Sequence, residues 1–136
     1  MRFSLKIGLV AALAAGLVYL GSPATAQEEK VKPENIKGCM AFQNKVRKDI
    51  GAQAKKGNWE SIQKQTEEWL GVAKTLGSQK PPKGDEKSWK ELTDKYAATV
   101  KSIDEAADKK DADGVTKGLA TIGAMCNGCH GKHKPK

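Results

Sequence analysis

Cys126-Asn127-Gly128-Cys129-His130 ends a segment in which Val115, Leu119 and Ile122 recur at helical spacing. Cys126 and Cys129 continue that recurrence, so all five residues form one stripe of a single helix. Two thiols three residues apart on one helical face, followed at once by a histidine, make the attachment pattern of a c-type haem. Each thiol adds to a vinyl group of the porphyrin, and the histidine binds the iron from one side. Both thiols share the core-facing stripe, so such a cofactor would hang inside the fold.

Working outward, three more helices are predicted upstream, with no strand pattern between them. The first opens near Pro33, which suits a first helical position, and stops at Gly57. The second opens on Asn58 as its cap and ends at Gly77, with Trp59, Ile62, Trp69, Leu70, Ala73 and Leu76 on its apolar stripe. The linker Ser78–Gly84 contains Pro81-Pro82 and cannot be helical. The third begins at Ser88, with Glu91 completing a capping box, and continues to about Lys109. Its stripe is Trp89, Leu92, Tyr96, Val100 and Ile103. Asp111 and Asp113 are candidate caps for the fourth helix, from about Val115 to His130 or slightly beyond, with Lys132–Lys136 frayed. Short connections make neighbouring helices antiparallel. The expected fold is all-α, an up-down-up-down four-helix bundle with a covalent haem in its core.

The other end of the chain indicates the compartment. Arg2 and Lys6 precede the uncharged apolar run Ile7–Leu20, and Ala24-Thr25-Ala26 is a small-residue cleavage site. Residues 1–26 therefore read as a secretory signal peptide, cut after Ala26. Residues 27–136 would form one exported domain, in the periplasm or an equivalent extracytoplasmic compartment. No later stretch approaches the roughly 18 to 20 apolar residues of a membrane span. The chain carries 24 Lys and Arg against 16 Asp and Glu, a net charge of +8. These cations are interspersed with acids, as on solvated helix faces. A docking surface for an acidic redox partner is the sharper reading. There is no basic cluster with interleaved aromatics, so nucleic-acid binding is not expected.

Cys126, Cys129, His130 and His133 could instead serve a non-haem metal-binding or thiol protein. A tetrahedral zinc site usually draws on two separated pairs, whereas these four sit within eight residues. A disulfide oxidoreductase needs a strand-to-helix setting that is missing here. The adjacent histidine and the export signal favour haem.

With its single attachment motif at the end of the last helix, the chain resembles class II cytochromes c, the cytochrome c′ and c556 group. The likeness extends to Lys32-Pro33-Glu34 at the first helix, the Pro-rich linker and the Asp-rich turn before the last helix. It implies one covalent haem c, with Cys126 and Cys129 as anchors and His130 as the proximal iron ligand. It also implies one-electron transfer rather than enzymatic catalysis, a redox partner protein, and a homo- or heterodimer. Phe42, off the core stripe, is the candidate dimer contact. The family usually continues with two residues, then Phe or Tyr, then Arg; here Gly131-Lys132-His133-Lys134 follows. His133 reads as a surface histidine, with competition for the iron as the alternative.

In this family the first helix supplies the residue on the opposite face of the haem, where Cys39, Met40 and Gln43 are the candidates. One helical stripe joins Ile36, Cys39, Gln43, Val46 and Ile50; the stripe through Met40 would carry Arg47 inward. A charge in the core is costly, so Cys39 is expected to face the haem and ligate its iron as thiolate. Met40 then lies at the flank, and Gln43 can hydrogen-bond a distal ligand or water. A thiolate would give a very low potential, as in the similar His/Cys-ligated small c′-like cytochromes of anaerobic ammonium oxidisers. Methionine would raise the potential. An open position would bind nitric oxide or carbon monoxide. The plain alternatives are a buried core thiol at Cys39 and packing at Met40.

Overall fold

Four helices make up most of residues 33–136, the part of the chain that the computed structural model describes. α1 spans Ile36–Lys56, α2 Trp59–Gly77, α3 Glu86–Asp108 and α4 Ala112–His133. No strand occurs among the described residues. The predicted signal peptide lies outside them.

Every helix starts on a side-chain oxygen that satisfies an amide left open in the first turn. Asn35 accepts from Gly38 N–H at 2.8 Å, Asn58 from Ser61, Asp85 from Ser88 at 2.8 Å, and Asp111 from Gly114 at 3.0 Å. Three starts differ from expectation, α4 beginning at Ala112 rather than about Val115 because Asp111, the earlier of the two candidate caps, supplies the cap. α1 begins three residues after Pro33, because Asn35 supplies the cap that proline lacks. Pro33 is buried and folds back over the first turn; a Cβ added to Gly38 would sit 2.9 Å from the Pro33 Cβ. α3 begins at Glu86 rather than Ser88. Asp85 is its cap, and Ser88 is the residue whose amide the cap satisfies.

Packing follows the order of the chain. α1 packs on α2, α2 on α3, α3 on α4 and α4 back on α1, while diagonal pairs do not meet. This ring of antiparallel neighbours is a four-helix bundle. The α2–α3 pair is the most intimate and the α1–α4 pair the least. Ile50, Ile62, Trp69, Val100, Ile103 and Ile122 are fully buried in the centre. Phe42, the expected dimer contact, is partly buried and packs on this core. No helix among the described residues is long and apolar enough to cross a membrane.

The C-terminal turn departs from expectation. α4 runs through His133, which is 2 % exposed rather than a surface residue, so Lys132 and His133 are ordered parts of the helix instead of a frayed end.

Candidate functional site

Residues i, i+3 and i+4 of a helix share a face. Cys126, Cys129 and His130 therefore project together from the last turns of α4, and all three line one cleft. The opposite wall comes from Met40 and Gln43 of α1, with Leu76 of α2 and Leu92 and Tyr96 of α3 closing the sides. The cleft is narrow and open at its mouth, with a cavity volume of about 30 Å³, room for a water or two, so a larger group enters only if the helices part. Its walls are mostly apolar. His130 is exposed at the mouth, and its imidazole makes no hydrogen bond among the described residues.

The three distal candidates separate. Met40 and Gln43 line the cleft; Cys39 does not. Cys39 is 1 % exposed, and its thiol points back to the Pro33 carbonyl oxygen at 3.9 Å. Burial pushes that thiol up, against ionisation. The Met40 sulfur accepts from Gln43 Nε2 at 2.7 Å, so one cleft residue orients the other. The helical-phase expectation had Cys39 inward and Met40 at the flank. The structure has that phase, with Cys39, Gln43, Val46 and Ile50 the buried residues of α1 and Met40 and Arg47 half-buried, but the cleft opens on the Met40–Gln43 flank of the stripe and not over Cys39. Half-buried Arg47 reaches toward α4, its Nη1 3.8 Å from Cys126 Sγ and its Nη2 beside Gly123. A long arginine stem tolerates such a position where a short charged side chain would not. The Arg47 Nε is nevertheless buried without a partner.

The thiols are not arranged for disulfide exchange. Reactive dithiols have depressed pKa values, often at a helix N-terminus. Cys126 and Cys129 sit instead at the C-terminal end of α4. Burial pushes the Cys129 thiol up, and the neighbouring Cys126 adds to the effect. The four zinc candidates do not converge either. His133 turns away into α3, with both ring nitrogens engaged. Among the described residues, no three His, Cys, Asp or Glu side chains gather as a metal-holding group.

Arg47, Tyr96 and His133 are the residues that sequence reading missed in or beside the site. Tyr96 stood on the α3 stripe as a core residue. In the structure its ring also walls the cleft while its hydroxyl accepts from Trp69 Nε1 at 2.5 Å. Burial pushes that hydroxyl far up, so it remains neutral.

Compared with protein-family models, with curated proteins and with solved structures, the chain finds no match. The chemistry of the site therefore has to be read from its own residues.

Proposed function

We propose that this chain is an exported monohaem c-type cytochrome of the four-helix kind, working in one-electron transfer with a redox partner protein. The observation that carries the proposal is the meeting of Cys126, Cys129 and His130 with Met40 across one apolar cleft. The residues fit a haem in three further ways. Both cysteines are free thiols. Arg47 keeps a buried guanidinium nitrogen without a partner among the described residues, open to a hydrogen-bond acceptor. The α1–α4 seam beside the cleft is the least intimate in the bundle and so the easiest to part.

When bound, the haem supplies a ferric–ferrous couple, and methionine opposite histidine raises its potential. The chain's own residues have distinct tasks. Cys126 and Cys129 hold the porphyrin edge covalently. His130 presents its nitrogen from α4, and Met40 presents a sulfur from α1. Leu76, Leu92 and Tyr96 exclude water, which strengthens electrostatic control at the iron. We favour Met40 over Cys39 as the distal ligand because of their placement. Gln43 supports a second reading. If Met40 withdraws, its amide becomes a donor for nitric oxide or carbon monoxide at the same face.

The test is to mature the full chain in a host that attaches c-type haems, then measure intact mass and the spectrum after denaturation. We expect the mass of one haem, lost in Cys126→Ser/Cys129→Ser. Ferric and ferrous spectra should change in Met40→Ala and persist in Cys39→Ala. A colourless wild-type protein without added mass ends the proposal. A Cys39→Ala change with Met40→Ala silent returns the thiolate to the iron. Rapid carbon monoxide binding by the reduced wild type favours the gas-binding reading.

A further inference from the structure

Gly128 lies within the motif and Gly131 directly after it, a lysine-rich tail follows, and the terminal turn of a helix is prone to fray. A metal-bound histidine is usually oriented through its second nitrogen by a carboxylate, a carbonyl or water. His130 has no such protein partner among the described residues, so its direction must come from the backbone that carries it.

That backbone is held by His133. Its Nδ1 lies 2.7 Å from the Lys83 carbonyl oxygen, which requires Nδ1 to donate. In the neutral ring, Nε2 then accepts from the Ser88 hydroxyl, 2.9 Å away. Trp89 stands edge-on to the ring with centroids 5.2 Å apart. Trp89 is anchored in turn, its Nε1 donating to the Gln79 carbonyl at 2.7 Å, and Gln79 donates to the Glu34 carbonyl at 2.9 Å. The loop beside His133 is shaped to its ring. Gly84 has φ +81°, and a Cβ there would lie 2.9 Å from His133 Nδ1 and 3.1 Å from the Lys132 carbonyl oxygen. Lys134 N–H closes onto the His130 carbonyl at 3.2 Å, joining the pinned turn to the site.

We infer that His133 is a positioning residue for His130: it pins the last turn of α4 to the 83–89 segment and thereby sets the angle at which the His130 imidazole enters the cleft. This rests on the reading of His130 as an iron ligand.

Three variants of the matured full chain test it. His133→Phe keeps a ring against Trp89 and removes both hydrogen bonds. Gly84→Ala leaves His133 intact and drives the loop off it. Val115→Ala lowers stability from the far end of α4, where Val115 is fully buried. The readouts are the low-temperature electron paramagnetic resonance signal, the reduction potential, and amide exchange at residues 131–134. The first two variants should split or broaden the resonance signal and shift the potential. Exchange should quicken about thirtyfold, the factor expected from two ordinary hydrogen bonds lost. Val115→Ala should unfold at lower temperature with an unchanged signal and potential. Wild-type signal, potential and exchange in both clamp variants overturn the inference, as does the same change in Val115→Ala. Should His133→Phe fail to fold, Gly84→Ala decides. If the wild type carries no haem, the functional reading fails, and amide exchange on the colourless chain still reports whether the clamp exists.

Discussion

Between α2 and α3, polar groups meet across a closed seam. Trp69 donates to Tyr96 at 2.5 Å, Thr66 donates to Asp104 at 2.6 Å, and Gln63 reaches the Ala107 carbonyl at 3.2 Å. Ile62, Trp69, Ile103 and Ala107 there have no exposure at all. Between α1 and α4 the contact is sparse, two thiols stand free, and Arg47 keeps a buried donor without an acceptor. A buried donor without an acceptor destabilises a fold, so its place beside the attachment motif is informative. One half is finished as protein alone. The other half is the more loosely packed as protein alone, which the proposed function requires.

The largest effect should come from the closed half. Trp69→Ala removes a fully buried ring and strands the Tyr96 hydroxyl, and is expected to cost about 3–5 kcal/mol. Met40→Ala, on a partly exposed cleft wall, should cost about 1 kcal/mol or less in the haem-free chain. Urea unfolding of the two variants checks the contrast. Equal losses would mean that the halves do not differ in packing.

Two glycines of α4 sharpen the comparison within one helix. Gly118 faces α3, and a Cβ there would run into Ile103 Cγ1, with Cδ1 at 3.1 Å. Gly118→Ala overpacks a closed seam and should cost about 1–3 kcal/mol. Gly123 faces α1, where the nearest atom is the mobile tip of Arg47, Nη2 at 3.3 Å. Gly123→Ala should be neutral or stabilise by up to about 1 kcal/mol through helix propensity. Thermal unfolding of both variants reads the sign directly.

The bundle was legible because its signals are local. Gly57 and Asn58 mark the α1–α2 turn, and the stripes on α2 and α3 name most of the buried residues. The α1 and α3 starts were misplaced by two to three residues because a stronger cap lay nearby. Pro33 drew attention from Asn35, and the Ser88–Glu91 pair drew it from Asp85. At the site, the motif on α4 could be read from spacing, since i, i+3 and i+4 always share a face. The facing wall could not. Phase places Cys39 inside and Met40 at its flank, and it does not say on which side of the buried stripe the cleft opens. His133 looked like part of a polar tail, because Gly84, Ser88 and Trp89 lie 44 or more positions away along the chain.

A smaller effect separates the halves by charge. Arg47→Met keeps an apolar stem over the seam and removes the unpartnered donor. In the haem-free chain it should be neutral or stabilise by about 1 kcal/mol, because the cost of a buried unmet donor disappears. Under the proposed function, the same change in the haem-loaded protein should instead destabilise it, since the group facing Arg47 loses its cation. Denaturation of both forms checks the reversal of sign. Destabilisation of the haem-free chain would show that Arg47 already has a role in the protein alone.

The smallest effect concerns pH. In the cleft half and its surroundings, burial moves Cys39 and Cys129 upward, so their contribution is present at neutral pH and fades as the medium becomes alkaline. Asp85 moves the other way. Its carboxylate accepts the Ser88 amide, which holds it below the ordinary aspartate value, helped by the Ser88 side chain. A group depressed in the folded state stabilises fully above its unfolded value and loses that contribution as pH falls through its folded value. The cap's charge-dependent share should therefore begin to fade near the ordinary aspartate value of about 3.9 and be gone only below the lower folded value. Asp85→Asn keeps a good capping oxygen but has no proton to take up. The acid limb of the stability profile should be flatter in this variant, with little change at pH 7. Because Asp85 caps the helix that carries Ser88 and Trp89, amide exchange at residues 131–134 should also lose part of its acid sensitivity. An acid limb identical to wild type would place the acid-labile group elsewhere.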